Sequence, residues 1–192
     1  RVLDACAAPG GKSFAAAIAM ENRGSVTSCD IYPHKLRLIE AGCQRLGLDI
    51  IHANLLDGKE RKAKLLNSFD LVIADVPCSG LGIIRKKPDI RYKDPKPLEN
   101  LPRVQAAILD NVADYVRPGG VLLYATCTLL GRENEGVVRA FLDKRRDFTL
   151  DGFQVSGPFL DTDPGMLPCW PHRHGTDGFF FARLRRKDDG NL

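Results

Sequence analysis

Short apolar runs that end in an acid or a cysteine alternate along this chain with stretches of helical spacing. Val2-Leu3-Asp4-Ala5-Cys6 reads as a buried strand, Ala7 to Lys12 as a turn, and the alanine-rich stretch from Ser13 to Met20 as a helix. A second strand runs from Gly24 to Asp30. The helix after it, Pro33 to Leu46, has a proline suited to its first turn and Gly47 as its stop. Ile50 to Ala53 and Phe69 to Ala74 read as strands three and four. Leu98 to Val116 reads as a helix despite Pro102, because Val104, Ile108, Val112 and Val116 share one face. Strand five runs from Gly120 to Cys127. Gly131-Arg132-Glu133-Asn134-Glu135 then opens a helix to about Arg145, its acids placed at the positive end of the dipole. Phe148 to Val155 forms a sixth strand, Ser156 to Thr176 an irregular Pro/Gly-rich segment, and Gly178 to Leu184 a last strand that pairs back on the sixth. Such alternation predicts an α/β fold around a mostly parallel sheet.

Composition narrows the picture modestly. The 192 residues are 44% hydrophobic, enough for one domain with a sizeable core, and no apolar run reaches the length of a membrane span. No interior linker or repeat divides the chain, so 1–192 is expected to be one catalytic domain, with a frayed charged tail over 185–192. Arg1 enters directly into a strand with no initiator Met, which reads as a fragment of a longer polypeptide. The net charge of +4 favours a polyanionic partner only weakly. Its distribution says more: Arg85, Lys86, Lys87, Arg91, Lys93 and Lys96 crowd one long loop from Ser79 to Pro97, where a solvated surface and a phosphate contact both fit. Six cysteines without a CxxC pair argue for reduced thiols and a cytoplasmic setting rather than a disulfide framework. Cys169-x-x-His172-x-His174 offers three metal-type side chains with no fourth in view, and no metal is expected there.

Candidate chemistry gathers at the strand ends, where open parallel sheets place their ligands. Ala8-Pro9-Gly10-Gly11-Lys12 joins a strand to a helix N-terminus, a cradle for a nucleotide-type ligand. The dinucleotide pattern GxGxxG is absent; Asp4-x-Cys6-x-Ala8-x-Gly10 stands in its place. Asp30 ends the second strand twenty residues after Gly10, a spacing that suits ribose hydroxyls. Asp57 follows the third strand and suits an adenine amino group. Each acid alone also reads as a helix cap. Asp75 and Cys78 follow strand four and Cys127 ends strand five, so a carboxylate and two thiols meet at neighbouring strand ends. Cys6, Cys29 and Cys43 read as small buried hydrophobes.

Four stretches in order, Asp4 to Lys12, Asp75-Val76-Pro77-Cys78-Ser79-Gly80, Ala125-Thr126-Cys127-Thr128 and Asp177-Gly178-Phe179-Phe180, resemble the successive signatures of the RNA cytosine-C5 methyltransferases. Lys87-Pro88-Asp89-Ile90 is most similar to the RsmB (Sun) branch, which acts on small-subunit ribosomal RNA. The resemblance implies a Rossmann-like class I S-adenosylmethionine-dependent fold, with a mostly parallel seven-stranded sheet and an antiparallel strand near the C-terminus. It implies S-adenosyl-L-methionine as cofactor, bordered by Ala8, Pro9, Gly10, Gly11, Lys12, Asp30, Asp57 and Asp75. It names Cys127 as nucleophile and Cys78 as the thiol that helps release product, with Asp75 and Lys12 completing the catalytic set. Val76 stands where Ala is common and Thr128 where Ser is usual. The family also carries an N-terminal RNA-binding region, not seen in this sequence. The expected partner is RNA presenting a single-stranded or loop cytosine, without membrane association and with the protein as a monomer. Tyr92, Trp170 or Phe179 would offer a stacking surface.

Carbon 5 of cytosine is too weak a nucleophile to take a methyl group unaided, and a thiolate added at carbon 6 makes it an enamine carbon. Two other readings stand beside this one. An amino-group methyltransferase needs an aromatic residue where Asp75-Val76-Pro77-Cys78 has cysteine. A nucleotide- or RNA-binding domain with vestigial residues has no reason to retain Lys12, Asp75, Cys78 and Cys127 together.

Overall fold

The computed structural model describes residues 1–155 and 164–188. Eight strands form one sheet: β1 (Val2–Asp4), β2 (Val26–Asp30), β3 (Ile51–Leu55), β4 (Phe69–Asp75), β5 (Val116–Thr126), β6 (Phe148–Leu150), β7 (Met166–Cys169) and β8 (Phe179–Arg186). The helices are α1 (Gly11–Ala19), α2 (Pro33–Leu46), α3 (Leu101–Ala113), α4 (Glu135–Lys144) and the single turn α5 (Pro171–His174).

The sheet order is β3-β2-β1-β4-β5-β8-β6, with β1 to β5 parallel and β8 antiparallel to its neighbours. Seven strands were expected, and eight are found among the described residues. The seventh position is filled in two pieces: β7 pairs with Phe179–Ala182 of β8 and β6 with Leu184–Arg186, along the edge that β5 leaves open.

Consecutive strand residues point to opposite faces. Leu3 and Val72 pack with Ile108, Leu109 and Val112 of α3 and with Val137, Val138 and Phe141 of α4. Val2 and Ile73 pack on the other face with Ala17 of α1 and Ile39 of α2. β1 and β4, at the centre of the sheet, are thus covered on both sides, which explains why Val2-Leu3 and Leu71-Val72-Ile73-Ala74 read as unbroken apolar runs.

Several expected boundaries move. Val116 continues the apolar spacing of α3, yet it begins β5, and the ladder with β4 shifts register between Phe69 and Leu71 to let Arg117 to Gly120 bulge out. The stretch from Ser79 to Pro97 is organised by short 3-10 turns at Leu81–Ile83, Pro88–Tyr92 and Lys96–Asn100. β6 ends at Leu150, and β7 and α5 occupy part of the segment expected to be irregular; residues 156–163 of that segment lie outside the described residues. Arg185 and Arg186, assigned to the tail, belong to β8, and Arg185 bonds Asp151.

Because β1 lies between β2 and β4, successive connections leave it in opposite directions. The sheet therefore opens a crevice at the C-terminal ends of β1 and β4, the switch point where α/β folds bind ligands. Among the described residues no helix is long and apolar enough to cross a membrane.

Candidate active site

The turn after β1 is tied to β2 by a hydrogen bond from the Ala7 N–H to the Cys29 carbonyl (2.7 Å). Gly10 caps α1 in a left-handed conformation (φ 113°), a geometry that side chains other than glycine's rarely adopt. From the first turn of α1, Lys12 crosses the switch point and its Nζ bonds Asp75 Oδ2 at 2.6 Å. The sequence singled out both residues but not their pairing.

A cleft of about 410 Å³ opens beside this pair. Ala8, Asp30, Asp57, Asp75, Cys78 and Cys127 all line it, together with apolar Ile31, Leu56, Val104 and Ile108. Pro9 and Gly11 do not; they border a shallower hollow between α1 and α2, with Phe14 and Leu38. Gly10 is not among the lining residues either, and its missing side chain leaves room for the Phe14 ring rather than for a ligand.

The cleft suits an adenosyl ligand by its own construction. Asp30 ends β2 with its side chain only 8% exposed, and Oδ1 accepts the Tyr32 N–H at 3.0 Å, which fixes the carboxylate as an acceptor for vicinal hydroxyls. Asp57 Oδ1 is held likewise by the Lys59 N–H at 2.9 Å. Apolar side chains around these acids offer faces for a purine.

Cys78 and Cys127 meet because β4 and β5 run in register, Asp75 opposite Ala125, so the segments leaving both strands diverge from adjacent points. Their sulfurs stand 3.2 Å apart, and the Cys127 N–H also points at Cys78 Sγ at 3.2 Å. The two thiols are not equivalent. Cys127 ionises more readily than an ordinary thiol, chiefly because of the hydrogen bond it shares with Cys78, while burial and the Asp75 charge oppose this and Lys12 assists. Cys78 is shifted the opposite way, by that same bond and by burial. Burial also raises Cys6 and takes Cys29 to about 12, as suits inert core thiols, although Cys6 borders the cleft.

Behind the sulfurs lies a buried polar layer that the sequence did not announce. Ser79 Oγ and Thr128 Oγ1 bond at 2.7 Å, so the threonine that replaces the usual serine uses its hydroxyl to join the two loops. Glu133 was expected on a helix face beside the dipole. It is instead fully buried ahead of α4, and its Oε2 accepts the Ser79 N–H (2.9 Å) and Gln105 Nε2 (2.8 Å). Two backbone ties cross nearby: the Gly82 N–H bonds the Cys127 carbonyl (3.0 Å), and the Gly178 N–H bonds the Gly82 carbonyl (2.8 Å).

Residues 1–185 match the family described as 16S rRNA methyltransferase RsmB/F. The chain belongs to this family. A Bacillus subtilis (strain 168) protein described as "Probable ribosomal RNA small subunit methyltransferase B" is 44% identical, over 97% of this chain and 43% of its own. A "Ribosomal RNA small subunit methyltransferase F" from Aeromonas salmonicida (strain A449) is 35% identical, over 96% of this chain and 40% of its own. The crystal structure of NSun6 from Pyrococcus horikoshii with SFG superposes with a TM-score of 0.83 at 32% identity, covering 98% of this chain and 48% of that one. The chain spans less than half the length of the curated relatives it matches. S-adenosyl-L-methionine is the cofactor of this RsmB/F fold, and the cleft of Asp30 and Asp57 is where the chain has room and acceptors for it.

The other expected features fall at the rim. Arg85 and Lys86 are anchored on the buried Asp177 carboxylate, whereas Lys87, Arg91, Lys93 and Lys96 are exposed, as is Tyr92. Phe179 stacks on Phe181 with ring centroids 6.1 Å apart, and Trp170 is half-buried. Cys169 is buried in β7, and His174 Nδ1 accepts the Trp170 N–H, so the Cys169–His174 stretch serves local structure.

Proposed function

We propose that this chain is the catalytic domain of an enzyme that methylates carbon 5 of a cytosine in small-subunit ribosomal RNA, through a covalent adduct at carbon 6. The observation that carries the reading is the thiol pair: two unequal cysteine sulfurs 3.2 Å apart, beside an ion-paired carboxylate and at the edge of a nucleotide-sized cleft. An amino-group methyltransferase has no use for such a pair.

Asp30 and Asp57 hold the adenosyl end of the cofactor, and the wall around Ala8 and Val76 confines it. When bound, S-adenosylmethionine supplies a sulfonium methyl group. Cys127 adds as thiolate to carbon 6, and the electrons displaced towards ring N3 make carbon 5 nucleophilic. Lys12 and Asp75 set a proton-bearing group and an acceptor side by side, so charge developing at N3 is met by a hydrogen bond. After carbon 5 is methylated, its proton passes to a solvent water, the carbon 5–carbon 6 double bond re-forms and the Cys127 sulfur departs as thiolate. Cys78 lies within reach of the adduct and assists that departure. The exposed Lys87, Arg91, Lys93 and Lys96 supply phosphate contacts for an unstacked target strand.

The full-length protein is to be incubated with methyl-labelled cofactor and ribosomal RNA carrying 5-fluorocytidine, whose fluorine cannot leave as a proton does. A covalent protein–RNA complex that survives denaturation is expected, and it should vanish in Cys127→Ala. A complex that persists in Cys127→Ala, or none with the unaltered protein, excludes this mechanism.

A further inference from the structure

Glu133 and Asn134 stand between the two cysteine loops and hold both, but each by different atoms. Glu133 Oε2 accepts the N–H of Ser79, the residue after Cys78, and shares Gln105 Nε2, which also donates to the carbonyl of Pro77, the residue before it (3.0 Å). Asn134 instead grips the residues on either side of Cys127: its Oδ1 accepts the Thr126 hydroxyl (2.6 Å) and its Nδ2 donates to the Thr128 carbonyl (3.0 Å). Both side chains are buried, and the Tyr124 hydroxyl fixes the dipeptide by donating to the Glu133 carbonyl at 2.5 Å. Neither touches the cleft.

We infer that Glu133 and Asn134 are a pair of positioning residues with divided duties: Asn134 sets the Cys127 sulfur for attack, and Glu133 sets the Cys78 sulfur for product release. The inference rests on the thiol roles proposed above. Hydrogen bonds to buried partners from a rigid helix entrance fix a loop more tightly than packing alone, and misplacement of a reacting sulfur by about an ångström is costly in rate. The work of Glu133 here is geometric. Both of its side-chain bonds are received by one oxygen, which a glutamine carbonyl reproduces, whereas aspartate keeps the carboxyl group but falls one methylene short.

The test compares Glu133→Gln, Glu133→Asp and Asn134→Asp in the full-length protein, with Cys78→Ala and Cys127→Ala as references. With ordinary RNA and cofactor, Glu133→Asp should accumulate a denaturation-resistant complex as Cys78→Ala does, with release slowed about tenfold, while Glu133→Gln turns over at close to the unaltered rate. Asn134→Asp sets an oxygen against the Thr128 carbonyl and should slow adduct formation on 5-fluorocytidine RNA about tenfold without accumulating complex on ordinary RNA. Alkylation of each thiol in the absence of RNA, followed by mass spectrometry, reads the clamp without reference to the reaction. Glu133→Asp should change the rate at Cys78 and Asn134→Asp the rate at Cys127. Failure of Cys78→Ala to accumulate complex refutes the release role, whereas failure of the two variants to change separate thiols refutes the clamp. Accumulation in Glu133→Gln but not in Glu133→Asp would show that charge, not geometry, matters.

Discussion

At Cys127 the decisive physics is a single hydrogen bond. A hydrogen bond shared with the Cys78 thiol favours the Cys127 thiolate, and the Lys12 charge adds to this while burial and Asp75 subtract. The alkylation rate of Cys127 by iodoacetamide, followed against pH, should therefore turn at a midpoint below the ordinary thiol value of 9.0. Cys78→Ala should move that midpoint up and Asp75→Asn should move it down; a midpoint unmoved by both would refute this account of the thiol. The sequence disclosed these residues because their types and strand-end positions carry chemistry. It disclosed neither Glu133 nor Gln105, since a buried carboxylate that bonds a backbone N–H 54 residues away looks the same in a sequence as an acid on a helix surface. A turn motif names a run of residues, but of Ala8 to Lys12 only Ala8 lines the cleft, while Pro9 and Gly11 border the hollow between α1 and α2.

Among the elements, β4 and α2 were legible because each combines a sustained pattern with a clear stop, and the short β1 and β2 because each ends at an acid; the start of β5 was not, because Val116 continues the spacing of α3. β7 was not. It is four residues long and contains Pro168, and it occurs where the chain needs only to cover half of one edge of β8. The loop junction was equally hidden, because two glycines nearly a hundred residues apart give no local sign that they touch. A Cβ at Gly82 would stand 2.0 Å from the Gly178 carbonyl oxygen, and one at Gly178 would stand 2.7 Å from the Gly82 Cα. These contacts are with backbone, which cannot rotate aside. Gly82→Ala should therefore cost about 1–3 kcal/mol in denaturant unfolding and displace the segment bonded to the Cys127 carbonyl. A stability equal to that of the unaltered protein would mean that the junction yields freely.

For the molecule as a whole, the topology places acids of β1, β2 and β4 around one crevice, and folding must bury some of that charge. Asp4 is fully buried; burial raises its carboxyl from 3.8 to about 6, against the bond that Ser13 Oγ donates at 2.8 Å. Between pH 3.8 and about 6 the folded chain retains a proton that the unfolded chain has released. Stability from this group is thus full below that window and falls as pH rises through it, by about 3 kcal/mol. Asp4→Asn should gain stability over the unaltered protein as pH rises from 4 to 7, read as the difference in melting temperature, and a constant difference would contradict the assignment. The strand count shows how far pattern reading reaches at this scale: the seven positions were legible, the split of the last was not. The tie from Cys127 through Gly82 to Gly178 carries a consequence in time as well as space. Thr126, the residue before Cys127, pairs with Phe180 of β8, and the carbonyl of Cys127 is bonded through Gly82 to Gly178, the residue just ahead of that strand. β1 to β5 precede β8 along the chain, so during synthesis the Cys127 segment gains these partners only once β8 pairs beside β5. A nascent chain therefore lacks these ties to the Cys127 segment until β8 has joined the sheet.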